Sequence, residues 1–522
     1  MKKITKVIKA FLCLALVLAL IAGCGGNPAV SGTTQGETTT AQTTAAQSSA
    51  TESSTAESSA AAGGAAADET VALRMFCIGD RGSDVKMVSD AVSEYTIDKI
   101  NVSVELVFYG WSDYTSTIPR LLAADEVMDV GFDAGWMDYV NRSRAGAYYD
   151  ITDELDTVPE LYTTVGDVMW NGSKVDGRIY GVPTKKEYAT QWAVLVEEEF
   201  IKNNNVDISG IKNLKDCEVI LEALHQDPER AGFMINLSRS NAVMLHNLEN
   251  YFYGSSFDPS YVSVMRIGEE GTFINYYETP EFKEHCEMLF DWYKKGYIDQ
   301  SVATIENYDK YTIDSHNWGM STIGYSPLTD VAQSMVYGKT IIPITITPIM
   351  LRDLGVVGSI NCIYNKSKNH EKSLEFLQLL NTDPIVKNLV TYGIEGVHYD
   401  LIDGKARTVP NLTEKYNASN WTTGNMYISY LVDGDADNKY DLYDQFNADA
   451  LISPMVGFQP ITDSIDDKIA ALNGVCAEYV PLLMMGALDP DEYIPTLVDA
   501  LRAAGSDDVI AEMQRQYDEF AG

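Results

Sequence analysis

The sequence predicts an α/β protein, and two observations carry that prediction. Residues 71–78 form a mostly apolar, strand-like run, residues 85–100 have a helical pattern, and residues 102–108 form a second strand-like run. A strand, a polar turn, a helix and a strand in this order indicate a βαβ unit with a parallel sheet. Helix and strand signals keep alternating over about 450 residues, which is enough chain for two or more domains.

The later elements follow in order. Residues 111–124 are predicted to form a helix, although Pro119 weakens its middle, and residues 127–132 are predicted to form a third strand. Residues 341–353 form a strand-like run that prolines interrupt. Trp292 fits the packing face of a helix, so we expect it in a core. The further predicted helices are residues 214–226, 240–250, 280–296, 368–380 and 466–485.

Residues 1–23 are predicted to be a secretory signal peptide. Four lysines precede an apolar run at residues 11–21, which is shorter than the roughly 20 residues of a membrane-spanning helix. Small residues then lead to Cys24. This pattern resembles the bacterial lipobox, in which the cysteine receives a diacylglyceryl group and becomes the new N-terminus. We therefore expect lipidation at Cys24, with acyl chains such as palmitate.

Residues 24–69 are predicted to be a disordered tether. The segment consists mostly of Ser, Thr, Ala, Gln and Gly, and it lacks aromatic residues. Such a composition buries too little apolar surface to offset the entropy lost on ordering. A lipid, a tether and a folded body together indicate a protein held at the outer face of the cytoplasmic membrane, as in a Gram-positive cell.

Composition and charge exclude several classes of function. The formal net charge of −37 argues against nucleic-acid binding, which depends on a basic surface. Five cysteines follow the tether, an odd number without close pairs, so we expect buried small side chains and no disulfide framework. The histidines lack zinc-site spacing, and no GxSxG motif occurs. We expect no cofactor, no metal and no catalytic residue.

Several stretches resemble the extracellular solute-binding lipoproteins of bacterial ABC transporters, of the large sugar-binding type. Two stretches match that type in general: residues 176–183, DGRIYGVP, and residues 365–376, NKSKNHEKSLEF, where Ser373 stands at a position that is usually Ala. The others are similar to the LipO-like subgroup, which has its own C-terminal domain of unassigned function. They are residues 392–399, YGIEGVHY, residues 421–426, WTTGNM, residues 489–493, DPDEY, and residues 509–516, VIAEMQRQ.

The resemblance implies a periplasmic-binding-protein-like fold of two α/β lobes, with a hinge, an interlobe cleft and an extra C-terminal helical segment. By analogy, lobe one comprises residues 70–183 and 354–415, and lobe two comprises residues 184–353 and 416–522. It also implies a monomeric receptor that captures a sugar or oligosaccharide and delivers it to an ABC permease, with no membrane contact beyond the lipid. The alternatives are a sensory protein on the same fold, a binder of peptides or other polar solutes, and a surface glycosidase.

A sugar site needs aromatic platforms for the C–H faces and polar groups for the hydroxyls. Ligands of open α/β sheets gather at the carboxyl ends of strands, which favours residues that follow predicted strands. For each aromatic candidate the alternative is core packing or an ordinary surface position. The ligand-binding candidates are Trp111, Tyr114, Asp133, Trp136, Glu187, Trp192, Trp318, Tyr325, Glu395, Trp421 and Asn425.

Two patterns of acidic residues suggest other kinds of site, a calcium loop and a glycosidase pair. Acids between Asp433 and Asp444 occupy positions 1, 3, 5, 9 and 12 of an EF-hand-like run, but position 6 is Asn438 instead of the usual Gly. Asp133 and Glu187 would be a candidate glycosidase pair, although chance pairs are expected among 75 acids.

Overall fold

The computed structural model describes residues 69–79, 82–228, 250–254, 260–304, 319–408, 415–416, 418–432 and 434–522. The signal peptide, Cys24, nearly all of the tether, Trp318 and almost all of the helix expected at 240–250 lie outside these residues. The contacts of the chain make Ala67–Gly522 one unit. No helix within the described ranges is both long enough and apolar enough to cross a membrane.

The described elements confirm the α/β prediction. The strands are β1 (Val71–Ile78), β2 (Val102–Tyr109), β3 (Val130–Asp133), β4 (Gly181–Pro183), β5 (Gln191–Glu197), β6 (Tyr251–Tyr253), β7 (Ser263–Arg266), β8 (Ile274–Asn275), β9 (Met320–Tyr325), β10 (Ile341–Thr345), β11 (Met350–Leu351), β12 (Ile360–Ile363), β13 (Tyr399–Ile402), β14 (Lys405–Thr408), β15 (Leu431–Val432) and β16 (Leu451–Ile452). The helices are α1 (Val85–Ile100), α2 (Trp111–Ala123), α3 (Tyr139–Arg144), α4 (Pro159–Val165), α5 (Asp167–Gly172), α6 (Glu198–Asn203), α7 (Glu218–His225), α8 (Pro280–Lys295), α9 (Thr329–Tyr337), α10 (Asp353–Val357), α11 (His370–Thr382), α12 (Pro384–Tyr392), α13 (Lys439–Ala448), α14 (Asp466–Met484), α15 (Pro490–Ala504) and α16 (Ser506–Ala521).

A five-stranded sheet organises the first core, in the order β2-β1-β3-β12-β4. β1 and β2 are parallel, with Val71 opposite Val102, and β12 is antiparallel to both β3 and β4. The carboxyl ends of β1 to β4 therefore meet the beginning of β12 at one edge of the sheet. Met75, Val130 and Ile360 are fully buried in this core.

A second core forms around the antiparallel sheet β10-β5-β9 and helix α8. Thr279 caps α8 through a hydrogen bond from the backbone N–H of Phe282, and Gly296 ends the helix in a left-handed conformation. Trp292 on this helix is fully buried, as its place on the packing face predicted. The C-terminal helices α14, α15 and α16 also belong to this core.

The chain passes between the two cores more than once. It leaves the first sheet after β4 and enters the second with β5, then returns through β11 and α10 to β12. Ala418 is buried in the first core, and β15 pairs with β14. Parts of the chain after residue 415 therefore contact elements that precede it. The division into lobes, with its last boundary at 415, remains a proposal.

The cysteine expectation is confirmed in the part of the chain that the structure describes. Cys77, Cys217, Cys286, Cys362 and Cys476 are all free and buried. Burial raises the pKa of the Cys77 and Cys217 thiols to about 12, which keeps them protonated near neutral pH.

Candidate functional site

Three tryptophans form a stacked cluster at the edge of the first sheet where the chain crosses between the cores. The ring centroids of Trp111 and Trp421 lie 5.6 Å apart with an interplanar angle of 23°. Those of Trp111 and Trp136 lie 6.5 Å apart at 26°. Trp111 and Trp136 remain 41% and 45% exposed, so this surface, hereafter the tryptophan platform, is open to solvent.

The fold around the sheet edge places each indole. Trp111 begins α2 just after β2, and Trp136 follows β3 in a short 3₁₀ turn. The indole N–H of Trp136 donates to the carbonyl oxygen of Gly358 at 3.0 Å, which ties it to the segment before β12. Phe132, buried at the end of β3, lies beneath the platform with its ring 6.0 Å from that of Trp421.

A pocket lies at the two crossing segments. Its cavity has a volume of about 240 Å³. The lining residues are Lys186, Glu187, Tyr188, Ala189 and Thr190 from the first crossing, Gly324, Tyr325 and Ser326 from the end of β9, and Arg352 and Gly355 from the return crossing. Both cores thus contribute walls to this hinge pocket. Two residues before Lys186, the hydroxyl of Thr184 is hydrogen bonded to that of Ser359 at 2.8 Å.

Two charged side chains of the hinge pocket, Glu187 and Arg352, keep hydrogen-bonding capacity that other described residues do not satisfy. One carboxylate oxygen of Glu187 is buried without a hydrogen-bond partner among them. The guanidinium of Arg352 lies 4.3 Å from the centroid of the Tyr253 ring, and it forms no ion pair or hydrogen bond within the described ranges. Burial lowers the pKa of Arg352 to about 10, so it stays charged near neutral pH. An acceptor and a set of donors are therefore available inside one cavity.

Tyr114 and Asp133 both lie in the core next to Phe132. Tyr114 is fully buried, and its hydroxyl donates to the carbonyl oxygen of Phe132 at 2.7 Å. Asp133 is also fully buried and pairs with Arg142 at 3.1 Å, with a second hydrogen bond from Tyr148. Burial raises the pKa of Asp133 to about 6, against the opposing effect of Arg142. Neither side chain faces solvent in this structure.

The remaining candidates occupy different surroundings. Tyr325 lies in the hinge pocket, and burial raises the pKa of its phenol. Trp192 is half-buried on β5 and packs against the second core. Glu395 is exposed in the turn before β13. Asn425 is buried and caps a 3₁₀ turn by accepting from the backbone N–H of Tyr427 at 2.9 Å. The structure therefore groups Trp111, Trp136 and Trp421 in one cluster and Glu187 and Tyr325 in another.

Sequence reasoning missed Arg352. It lies near the end of the proline-interrupted run at 341–353, and no motif marks it. A single arginine at the end of a mainly apolar segment was the available signal, because such a charge needs a partner or a ligand when the segment is buried.

The EF-hand-like run does not have the shape of a calcium loop where it is described. Helix α13 begins at Lys439, so Asp441 and Asp444 lie on a helix. Asp435 is paired with Lys439 at 2.9 Å, and Asp437 with Lys405 at 2.9 Å. Asp433 lies outside the described residues. No group of three or more His, Cys, Asp or Glu side chains suited to a metal ion occurs among the residues that the structure covers.

Known proteins are similar to this chain over most of its length. Residues 454–522 match the family described as "Domain of unknown function (DUF3502)". A curated relative, the "Carbohydrate ABC transporter substrate-binding protein" of Streptococcus pneumoniae serotype 4, is 28% identical over 86% of this chain and 90% of its own length. A second, the "Polygalacturonan/rhamnogalacturonan-binding protein YtcQ" of Bacillus subtilis, is 20% identical over 67% of this chain and 66% of its own.

Solved structures agree with the sequence relatives. The crystal structure of the N-glycan transport solute binding protein (NgtS) from Streptococcus pneumoniae matches with a TM-score of 0.77 and 26% identity, over 86% of this chain and 99% of that one. The same protein in complex with Man1GlcNAc matches with a TM-score of 0.68, over the same shares of both chains. In complex with Man5GlcNAc it matches with a TM-score of 0.65, over 86% of this chain and 98% of that one.

Proposed function

We propose that the chain is an extracellular solute-binding protein of a bacterial ABC transporter and that it captures a sugar or oligosaccharide for an ABC importer. The observation that carries this proposal is the solvent-open tryptophan platform beside a polar pocket at the crossings between two cores. The platform matches the C–H faces of sugar rings, and the pocket matches their hydroxyl groups. Its curated relatives are binding proteins, not enzymes.

The two parts of the site have different tasks in this proposal. A sugar ring packs against the exposed surface of the tryptophan platform, where contact depends on area and shape. In the hinge pocket, the unpartnered carboxylate oxygen of Glu187 accepts from a hydroxyl, and Arg352 donates to ring or hydroxyl oxygens. Buried polar groups that only the right ligand satisfies give more selectivity than apolar contact does.

Ligand binding shifts an equilibrium between open and closed lobes. The ligand must bind the closed form better, because equal affinity for both forms would shift nothing. The permease then recognises the closed, loaded receptor.

A thermal-shift screen of the protein tests the proposal. The panel contains Man1GlcNAc, Man5GlcNAc, oligogalacturonides and monosaccharides, with amino acids, short peptides and calcium as comparators. A sugar present at 100 times its Kd adds about 2.7 kcal/mol to the free energy of unfolding and raises Tm. A rise with one class of sugar supports the proposal. Unchanged curves with every sugar, and a rise with peptides alone, would reject it.

The location is also a proposal: a lipid on Cys24 holds the receptor at the outer face of the membrane. The support is the basic start, the short apolar run and the small residues before Cys24. Replacement Cys24→Ala should move the protein from the membrane fraction to the culture medium and abolish incorporation of labelled palmitate. Retention of the label in the variant would contradict lipidation at Cys24.

A further inference from the structure

Helix α12 contains a lysine, Lys387, whose side chain is fully buried. Its ammonium group donates to the carbonyl oxygen of Asn420 at 2.9 Å, to the carbonyl oxygen of Thr423 and, at 3.4 Å, to the hydroxyl of Thr423. An ammonium group has three N–H donors, so one short loop satisfies all of them. No carboxylate among the described residues forms an ion pair with Lys387.

The burial of this charge is unfavourable for folding. Taking an ammonium group out of water costs several kcal/mol, and hydrogen bonds to neutral carbonyl oxygens replace its hydration without supplying a counter-charge. Burial without a counter-charge is reflected in the pKa of Lys387, which falls to about 7. Burial of the lysine therefore lowers folding stability, while its hydrogen bonds fix the position of residues 420–423.

The same loop is held at further points. The Ser359 hydroxyl donates to the carbonyl oxygen of Trp421 at 2.8 Å. The Asn361 amide donates to the carbonyl oxygen of Thr422 at 2.9 Å and accepts from the N–H of Gly424 at 2.9 Å. The backbone N–H of Lys185, in the first crossing segment, donates to the carbonyl oxygen of Gly424 at 3.1 Å. Each backbone carbonyl from 420 to 424 thus has a donor from another element.

Gly424 allows this close fit. Its φ is +56°, and a Cβ at this position would lie 2.5 Å from the carbonyl oxygen of Leu380. The loop therefore has one well-defined path, and the side chain that this path presents to the platform is Trp421, stacked on Trp111.

We propose that Lys387 is a positioning residue that holds Trp421 in the tryptophan platform and thereby sets the affinity of the site. This inference rests on the proposed function for its effect on affinity, but its structural half concerns Trp421 alone. Lys387 does not touch the ligand. It acts by removing the freedom of the loop before the ligand arrives, so that little entropy is lost on binding.

The replacement Lys387→Met in the full chain tests the inference. Near-UV circular dichroism of the ligand-free protein reports on the coupled indoles, and Trp421→Phe supplies the reference change. We expect Lys387→Met to reproduce much of that change, and thermal unfolding checks that the variant remains folded. Lys372→Met, on α11, is the matched control, because its ammonium pairs with Glu375 instead of the loop. A spectrum of Lys387→Met that matches wild type would overturn the inference.

Affinity provides the second readout, with Man1GlcNAc and Man5GlcNAc as probes in isothermal titration calorimetry. We expect Lys387→Met to weaken binding about tenfold through lost preorganisation, and to have no further effect in a Trp421→Ala background. An equal loss in both backgrounds would mean that Lys387 does not act through Trp421, and it would overturn the inference. If wild type binds neither sugar, the binding proposal fails for these ligands and the ligand-free spectra still decide on Lys387.

A second variant covers the case in which Lys387→Met does not fold. Ser359→Ala removes the donor to the carbonyl oxygen of Trp421 and leaves the buried charge in place. It should change the indole spectrum in the same direction, by a smaller amount. An unchanged spectrum in this folded variant would contradict the claim that contacts to the loop backbone position Trp421.

Discussion

Trp111 and Trp421 stack with their ring centroids 5.6 Å apart, although Trp111 begins helix α2 and Trp421 lies about 300 residues later in a loop. The contact exists because β2 ends at the sheet edge to which Ser359 and Asn361 tie the 420–424 loop. With Trp136, the pair forms an exposed aromatic surface at the edge of the first sheet. If this surface and the hinge pocket bind sugar, replacing their side chains must change the affinity for sugar.

Removal of platform indoles should weaken sugar binding and leave folding nearly intact. We expect Trp111→Ala and Trp136→Ala each to lower affinity by about 10- to 100-fold, since each exposed ring supplies roughly 1.5–3 kcal/mol of contact. Isothermal titration calorimetry gives the affinity, and thermal unfolding checks the fold.

The control for the platform is another exposed aromatic residue. Phe520 is 48% exposed and packs near Phe458 at the C-terminal end of the chain. Phe520→Ala should leave affinity unchanged. Equal losses in Phe520→Ala and Trp136→Ala would show that the effect is not specific to the platform.

The hinge pocket should determine selectivity. Glu187→Gln keeps the shape of the side chain but replaces an acceptor with a donor, and Arg352→Met removes the guanidinium donors. We expect each to lower affinity by about 10- to 100-fold for ligands that hydrogen bond there, because the loss leaves ligand groups unpaired in a desolvated site. Arg120→Met, on the exposed face of α2, is the charge-matched control for Arg352. If Arg120→Met and Arg352→Met act alike, the effect is one of overall charge.

The sequence predicted the local elements better than it predicted the site. The strand at Val71–Ile78 and the helix at Asp466–Met484 are found nearly as expected, because their hydrophobic patterns are local properties. The run at 341–353 splits into β10 and β11, as its prolines indicated. Contacts between residues far apart in the chain could not be predicted from such local patterns.

Individual site residues show why. Trp111 and Trp136 could be proposed from their places after strands, but nothing in the sequence brings Trp421 to them. Tyr114 also follows β2, yet its position on α2 turns it into the core. Sequence alone could not separate Asn425 as a ligand group from Asn425 as a cap, since an amide side chain serves both tasks. The ligand-binding roles stay predictions until a variant is measured.

Lys387 should give the protein a recognisable dependence of stability on pH. Burial lowers its pKa in the folded state to about 7, from an ordinary 10.5. Between these values the unfolded chain binds more protons than the folded one, so the contribution of Lys387 to stability rises with pH. Any advantage of Lys387→Met over wild type should thus be largest below pH 7 and shrink towards pH 10.5. Denaturant unfolding of both proteins at pH 6, 8 and 10 measures this difference, and a gap that is constant with pH would contradict it.

Glu281 should show the opposite pH dependence. The guanidinium of Arg266 holds the pKa of this carboxylate down at about 2, and Tyr251 adds a hydrogen bond at 2.8 Å. A depressed carboxylate pKa stabilises the fold above the ordinary value of 4.5, and this stabilisation is lost as pH falls towards 2. We expect Glu281→Gln to cost about 1–2 kcal/mol at pH 7, discounted for partial exposure of the pair. The cost should fade between pH 4.5 and 2 in denaturant unfolding, and a cost that persists at pH 2 would exclude the ion pair as its cause.

The most direct measurement of the central claim is a titration of intrinsic tryptophan fluorescence with Man1GlcNAc, Man5GlcNAc and the other sugars of the panel. Direct stacking on Trp111, Trp136 and Trp421 should give a saturable change in wild type with at least one sugar. The same titration of the Trp111→Ala, Trp136→Ala double variant should lose most of that change and the affinity with it. A saturable signal of equal affinity in the double variant would place the sugar elsewhere and contradict the account.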